Sequence, residues 1–498
     1  LITFFPTCRT EYLQTPNMFN ERKFIPGGNT LKIQLPNQVQ FIIHTLENAG
    51  FEAYAVGGCV RDSLLNRNPD DWDITTNALP TEVKSLFPRT IDTGIQHGTV
   101  TVMVKGEGFE VTTYRIDGDY EDGRHPKEVS FTRNLEEDLK RRDFTINAMA
   151  YNDRAGIVDI FQGVEDLEKG VIRAVGNPTE RFTEDALRMM RAVRFSAQLG
   201  YDIEKETKEA IQNLAPTIKK ISAERVQVEL VKLVTSPHPN RIRLLYETGL
   251  TAFIMPEFDR MMKTEQNHPH HCYNVGEHTI HAMEHIKPDK VLRLAMLFHD
   301  IGKPLVQTMD EEGIHHFHGH AEESEKIAEA VLKRLKFDND TTRTVTKLVL
   351  YHDRKFELGK KYVRRGINKI GEDLFPLLFP VQEADIYGQS DYMREEKLEY
   401  LNKLQAIYDE IIASKDCVSL KTLAVSGSDT RMIMPCLAWI FKEKPCISHV
   451  KALAFKFICR ERKRRVEISV QTALRPQRNL PYTEESEDMV DAECVEIF

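Results

Sequence analysis

A pair of adjacent glycines opening a helix, followed by two aspartates one residue apart, constrains this chain more than any other feature. The segments are Gly57-Gly58-Cys59-Val60-Arg61-Asp62 and Asp71-Trp72-Asp73-Ile74-Thr75. Before them, residues 51–56 (FEAYAV) read as a strand, and CVRDSLLN begins a helix. On a strand, Asp71 and Asp73 share one face, while Trp72 and Ile74 point to the other, toward a core. Two carboxylates projecting together suit Mg²⁺, a hard ion that prefers oxygen ligands. Two such ions can stabilise the attacking and leaving oxygens of an in-line phosphoryl displacement. Gly57 and Gly58 let backbone N–H groups approach phosphate closely, the helix that follows adds its positive end, and Arg61 can neutralise a triphosphate. An isolated D-x-D is more often an exposed strand pair; the upstream GG-x-V-R-D shifts the balance to nucleotidyl transfer. Glu110 is a candidate third carboxylate on a neighbouring strand, its alternative being an ordinary cross-strand surface residue. The polar stretch GDYEDGRHP (118–126) reads as a loop over the site or as plain surface.

The regular pattern begins near Leu35. VQFIIHTLENAG is an amphipathic helix closed by Gly50, and HGTVTVMVKGEGFEVTTYR reads as two strands joined by a turn at 106–108. Beyond residue 160 the spacing is helical, as in EDALRMMRAVRFSAQLG, KETKEAIQNLA and AERVQVELVKLV. The expected fold class is α+β: an N-terminal head with a small mixed sheet and helices, followed by all-α neck, histidine-rich and tail domains. The boundaries read as a leader at 1–35, a head at 36–160, a neck at 161–255, a histidine-rich domain at 256–395 and a tail at 396–498. At 498 residues there is room for several cores. The net charge of −9 excludes a uniformly basic nucleic-acid coat but not a local basic groove. No apolar run is long enough to span a membrane, the opening LITFF lacks the form of a signal peptide, and the eight cysteines are scattered without a C-x-x-C pair. A cytoplasmic location is expected.

The segments GGCVRD, DWDITTNA, RRDFTINAMA and EDALRMMRAVRF, in this order and spacing, resemble the bacterial class II tRNA nucleotidyltransferases, the CCA-adding enzymes of the DNA polymerase beta superfamily. The likeness runs from about residue 36 to 255. It implies that Asp71, Asp73 and Glu110 are catalytic, the aspartates holding Mg²⁺, and that Gly57, Gly58, Arg61, Arg142, Asp143, Asn147, Asp185, Arg188, Arg191 and Arg194 bind nucleotide. Arg142 matches the triphosphate-binding arginine, and Asp143 or Asn147 could bond ribose hydroxyls. Asp185 and Arg188 sit three apart on an expected helix, where a carboxylate and a guanidinium side by side can meet the Watson–Crick edge of a base. The implied activity is addition of C, C and A to the 3′ end of tRNA from CTP and ATP, with release of pyrophosphate. The tRNA 3′ hydroxyl attacks the α-phosphate, and tRNA is recognised by shape and backbone.

Twelve of the 17 histidines lie between His268 and His352. Asn274-Val275-Gly276-Glu277-His278 opens a helix carrying His278, His281 and His285; LAMLFHDIGKP contains His299 and Asp300; His320, His352 and Asp385 follow. This pattern resembles the HD metal-dependent phosphohydrolase domain. The resemblance implies His278, His299, Asp300 and Asp385 as ligands of a divalent transition metal, with His320 and His352 as candidates for a second ion. Such an ion would activate water for phosphoester cleavage. Lys303 fits either a nearby phosphate or a helix C-terminus, and His281 and His285 fit packing.

LKTLAVSGSD (420–429) resembles the start of the family's tRNA-holding tail, and past Asp429 the family pattern is lost. RERKRR (460–465) reads as a phosphate contact or a solvated run, and residues 484–498 hold seven acidic residues and no basic one. Two rivals share these features. One is a poly(A) polymerase or a partial enzyme adding only CC or only A. The other is an HD phosphohydrolase whose head merely binds RNA. Oligomeric state is not legible.

Overall fold

The computed structural model describes residues 32–118 and 129–414. Residues 1–31 of the expected leader, residues 119–126 of the polar loop, and everything from residue 415 onward lie outside the described residues. That last part includes the LKTLAVSGSD segment, the RERKRR run and the acidic end. The described residues form two compact units. One contains residues up to Arg354 together with Leu377–Leu398; the other contains Lys355–Pro376 and residues from Glu399.

The first unit opens with α1 (Asn37–Asn48), whose Val39, Ile42, Ile43 and Leu46 recur at helical spacing and are buried. Gly50 at φ +87° turns the chain into β1 (Ala53–Val56). Then follow α2 (Gly58–Leu64), β2 (Ile74–Thr76), α3 (Pro80–Leu86), the β3–β4 hairpin (Thr90–Gly94, Thr99–Val104), β5 (Glu107–Thr113), the β6–β7 pair (Arg115–Asp117, Val129–Phe131) and α4 (Leu135–Lys140). Strands β8 (Met149–Asn152) and β9 (Gly156–Asp159) complete a seven-stranded mixed sheet, ordered β3-β4-β5-β2-β1-β8-β9. Strand β1 runs antiparallel to both β2 and β8, while β2 and β5 are parallel, with Ile74 opposite Val111. Val56, Leu139 and Ala150 centre a core packed by Tyr54, Leu135, Val158 and Phe161.

Helices dominate from there: α5 (Gly163–Lys169), α6 (Pro178–Glu184), α7 (Leu187–Leu199), α8 (Lys205–Leu214), α9 (Ala223–Val234), α10 (Arg243–Glu247), α11 (Thr251–Ile254) and α12 (Pro256–Lys263). One element escapes helical periodicity, a parallel ladder of two-residue strands, β10 (Val171–Ile172) with β11 (Asp202–Ile203). The histidine-rich region builds α13 (Val275–Glu284), α14 (Lys290–Phe298), α15 (Lys303–Val306), a small β12–β13 hairpin (Thr308–Met309, His315–His316), α16 (His320–Arg334) and α17 (Asn339–Tyr351). Asn274 and Asp289 cap α13 and α14 by accepting from Glu277 N and from Val291 N and Leu292 N. After α18 (Lys360–Ile370), α19 (Phe375–Gly388) returns to supply Asp385, and α20 (Arg394–Ala413) follows. In the second unit, Tyr400 brackets Phe356 by accepting from its N–H and donating to its carbonyl, and Phe375 stacks on Tyr408.

Two expectations are corrected. The strand after the glycine pair is shorter than DWDITT suggests: Asp71, Trp72 and Asp73 lead into β2 rather than belonging to it, and Trp72 is half-buried rather than in the core. The backbone remains extended enough for Asp73 O to accept from Val56 N at 3.0 Å, so β1 still fixes its position. Second, Asp185 is not on a helix with Arg188. It ends α6 with φ −138°, and its side chain accepts from Leu187 N at 3.0 Å, which starts α7 as a separate helix.

Candidate active site and metal centre

Strand order builds the first site. Because β2 and β5 are parallel with Ile74 opposite Val111, Asp73 just before β2 and Glu110 in the middle of β5 each precede a residue of that pair. Asp71, Asp73 and Glu110 are all solvent-exposed. Desolvation by the surrounding protein raises the Asp73 pKa and Asp71 adds to it, with Arg142 opposing. Desolvation likewise raises that of Glu110, helped by Asp73 and then Asp71. The three carboxylates therefore repel one another, a repulsion that a divalent cation near them would relieve.

Gly57 lies beside Arg142, the guanidinium that opposes the rise at Asp73. Its φ of +85° and ψ of −131° are open to glycine and strained for other residues, and a Cβ there would lie 2.9 Å from Arg142 Nη1. Gly57→Ala is therefore expected to cost about 1–3 kcal/mol through backbone strain and to push Arg142 aside. Thermal denaturation and nucleotide KM measured together should register both. Gly58 begins α2 and lies near the Arg61 guanidinium.

Behind the carboxylates lies a buried ionic network. Arg61 donates to both Asp62 oxygens and, through Nη1, to Asn147 Oδ1 at 2.6 Å. Asn147 Nδ2 donates to Asp143 Oδ1 at 3.1 Å, and Arg191 Nε donates to Asp143 Oδ2 at 2.7 Å. Burial would raise the Asp143 pKa, but Arg191, Arg188 and the Asn147 hydrogen bond outweigh it and hold the carboxyl at about 2. A depressed carboxylate adds stability above its unfolded value of about 4, and that stability is lost as pH falls through the folded value. Asp143→Asn should thus flatten the dependence of melting temperature on pH between about 4 and 2, read by calorimetry against the parent chain.

Asp138, which the sequence reading did not single out, is fully buried. It accepts from Arg141 Nε and Nη2 at 3.0 and 2.8 Å and from Thr75 Oγ1 at 3.1 Å, with Arg142 Nη2 at 3.5 Å. It steadies Arg142, whose Nε is buried with no hydrogen-bond partner. Only its position four residues before Arg142 hinted at this.

Asp185 and Arg188 are held apart in their pairings. Arg225 of α9 donates to Asp185 Oδ2 at 2.7 Å, while Arg188 donates to Glu184 Oε2 at 2.6 Å and to the Arg181 and Arg141 carbonyls. Arg194 is buried against Glu229 at 2.5 Å, with its guanidinium over the Phe195 ring. The partners Glu184, Arg225 and Glu229 carried no local sequence signal.

In the histidine region the four expected ligands converge. His278 Nε2 lies 3.1 Å from His299 Nε2, 3.3 Å from Asp300 Oδ2 and 2.9 Å from Asp385 Oδ1; His299 Nε2 is 3.2 Å from Asp300. His320 and His352 approach the other Asp300 oxygen at 3.5 and 3.6 Å, with their own Nε2 atoms 3.2 Å apart. Asp300 thus faces two groups, His278 with His299 on one side and His320 with His352 on the other. Each of these histidines has Nδ1 within 2.7–3.0 Å of a backbone carbonyl, those of Gly388, Met296, Phe317 and Val349. A carbonyl only accepts, so each Nδ1 carries the proton, and in the neutral ring each Nε2 lone pair points inward. Neither buried Asp300 oxygen accepts an aligned hydrogen bond, although Lys303 Nζ is 2.6 Å from Oδ2. The donors fit a transition metal. Burial opposes a charge on His278, yet the Asp300 and Asp385 carboxylates beside it raise its pKa to about 9, and both carboxyls are held well below their ordinary range.

Lys303 does not cap a helix C-terminus. It is buried in the first turn of α15, paired with Asp300, and donates to Gln266 Oε1 at 2.8 Å. His281 and His285 stack on Tyr273 and Tyr387, as packing requires. His271 was not singled out from sequence. Its ring meets His278 edge-on at 5.4 Å, and its buried Nδ1 lacks a hydrogen-bond partner.

A mixed-sheet head carrying neighbouring carboxylates, joined to helices that gather histidines, is the architecture of a poly A polymerase-type head followed by an HD domain. Family models agree: residues 53–173 match the poly A polymerase head domain, residues 200–262 the probable RNA and SrmB-binding site of polymerase A, and residues 270–388 the HD domain. The chain resembles the crystal structure of the Bacillus stearothermophilus CCA-adding enzyme in complex with CTP at 31% identity and a TM-score of 0.59, covering 82% of this chain and 91% of that one. It is 52% identical over 229 residues to the CCA-adding enzyme of Lactobacillus helveticus, covering 46% of this chain and 57% of that protein. It is 58% identical over 204 residues to that of Leuconostoc mesenteroides, covering 40% of this chain and 51% of the relative. The chain belongs to the CCA-adding enzyme family. It spans about half the length of the curated relatives it matches.

Proposed function

We propose that this chain adds C, C and A to the 3′ end of tRNA from CTP and ATP, releasing pyrophosphate. The observation that carries the reading is that Asp71, Asp73 and Glu110 feel one another's charge where β2 pairs with β5, with Arg142 acting on Asp73 and Gly57 beside Arg142. Mg²⁺ held by Asp71 and Asp73, in a two-ion arrangement with Glu110 at its edge, would neutralise the triphosphate and assist in-line displacement at the α-phosphate. Arg142 would meet the triphosphate, and Gly57 leaves it the room to do so. Arg61, Asn147, Asp143 and Arg191 form one bonded chain that would orient the sugar and phosphates. Asp143 is already committed to three donors, so Asn147 is the better candidate for a ribose contact. Asp185 and Arg188 would read the base edge, and Arg194 would stiffen that wall through Glu229.

The same reading divides the chain into a catalytic head at 36–160, a neck at 161–255 that selects nucleotide and binds RNA, an HD domain at 256–395 and a tail from 396. In the HD domain, His278, His299, Asp300 and Asp385 would hold a divalent transition metal, with His320 and His352 facing a second position across Asp300. When bound, such a metal supplies an activated water for phosphoester hydrolysis. An accessory phosphohydrolase activity is favoured by the convergence of these histidines and aspartates on Asp300. The scattered cysteines support a cytoplasmic setting, and among the described residues no helix is long and apolar enough to cross a membrane.

The test is extension of a tRNA ending at the discriminator base, with Mg²⁺ and each nucleotide alone and in pairs, resolved to single nucleotides. Two C from CTP, then one A once ATP is present, then a stop, is the expected result. A stop after CC identifies a partial enzyme, and a long A ladder a poly(A) polymerase.

A further inference from the structure

We propose that Arg225 is a specificity-determining positioning residue, which holds the Asp185 carboxylate so that it accepts the amino group of cytosine or adenine and repels the carbonyl of uracil or guanine. This rests on the reading of Asp185 as a base-reading residue. Two donors fix the carboxylate: Leu187 N bonds Oδ1 at 3.0 Å, and Arg225 Nη2 bonds Oδ2 at 2.7 Å, with Nη1 a longer 3.4 Å from Oδ1. Leu187 N alone tethers one oxygen. The guanidinium engages the other and so sets the plane of the group.

Arg225 is itself delivered by a fixed strut. One turn further along α9, Glu229 is bound to Arg194 inside the protein. At the far end of the helix, Val234 O accepts from Arg293 Nη1 of α14 at 3.1 Å. The middle and the C-terminal end of α9 are thereby anchored to other helices. Arg188, the second base-reading candidate, has its own anchors in Glu184 and two carbonyls, so it does not orient Asp185.

Discrimination here is a matter of polarity. Cytosine and adenine present an amino donor where uracil and guanine present a carbonyl acceptor. A carboxylate locked as an acceptor favours the first pair and leaves the second facing like charge, with polar groups unpaired. Removing Arg225 leaves Asp185 free to turn about its remaining tether, and the acceptor is no longer aimed.

The experiment compares the full chain with Arg225→Gln and Arg225→Lys. It measures kcat/KM for CTP and UTP on tRNA ending at the discriminator base, and for ATP and GTP on tRNA ending in CC. In Arg225→Gln the CTP:UTP and ATP:GTP ratios are expected to fall by about tenfold or more, with partial recovery in Arg225→Lys, which keeps the charge but not the two-pronged geometry. Equal losses with all four nucleotides, leaving the ratios unchanged, would overturn the proposal and make Arg225 merely structural. If Arg225→Gln does not fold, the ratios in Arg225→Lys decide. Failure of the parent chain to extend tRNA overturns the assigned activity; normal extension with unaltered ratios in the variants overturns only the role of Arg225.

Discussion

Asp73→Asn is expected to abolish nucleotide addition, by roughly 10³-fold or more, equivalent to about 4 kcal/mol at 1.36 kcal/mol per decade, while leaving the fold intact. Asp73 is solvent-exposed and its side chain holds no core together; its backbone carbonyl, which bonds Val56 N, is untouched by the substitution. The side chain's whole consequence lies in the charge it contributes beside Asp71 and Glu110. Single-turnover extension of tRNA in saturating CTP measures the loss, and an unchanged melting temperature separates it from unfolding. Activity within tenfold of the parent chain would remove Asp73 from the chemistry and transfer attention to the histidine centre.

The second large effect falls on that centre. His299→Ala should empty the HD site of tightly bound metal without altering nucleotide addition. His299 touches both His278 and Asp300 and lies within 3.6 Å of Asp385, so its loss opens the donor set at its middle. Changes behind a metal's ligands typically cost about 10–100-fold in affinity, and removal of a direct donor should exceed that. Elemental analysis after dialysis against a weak chelator gives the metal content, and hydrolysis of a generic phosphodiester gives the chemistry. Full retention of metal by the variant would show that the ion sits elsewhere.

Much of both sites was legible because their signals are local. The glycine pair, the two aspartates and the HD pair each lie within a few residues, and backbone geometry converts such spacing directly into a shared face or turn. What was not legible depends on packing over distance. Asp138 looked like one more acidic residue in the first turns of α4; only the fold reveals it as the buried acceptor for Arg141 and Thr75, held below the ordinary carboxylate range by Arg141 and Arg142 against the pull of burial. The pairing of Asp185 with Arg225 joins residues forty apart. Asp185 was also misplaced for an instructive reason. The apolar rhythm of EDALRMMRAVRF continues smoothly across the end of α6, and nothing in that rhythm reports that the aspartate has turned out to cap the helix that follows. Likewise Lys303, next to an HD pair, fitted either a phosphate or a helix C-terminus, and its buried contact with Asp300 carried no local signal.

The parallel pairing of β2 with β5 has a consequence for how this head can change. The chain between the two strands makes α3 and then the β3–β4 hairpin, whose β3 lies at the rim of the sheet. The separation of Asp73 from Glu110 is set by one ladder, not by the length of that excursion. Residues can therefore be added or lost at the hairpin tip without moving either carboxylate, and the head can acquire new outer surface while its chemistry stays in place.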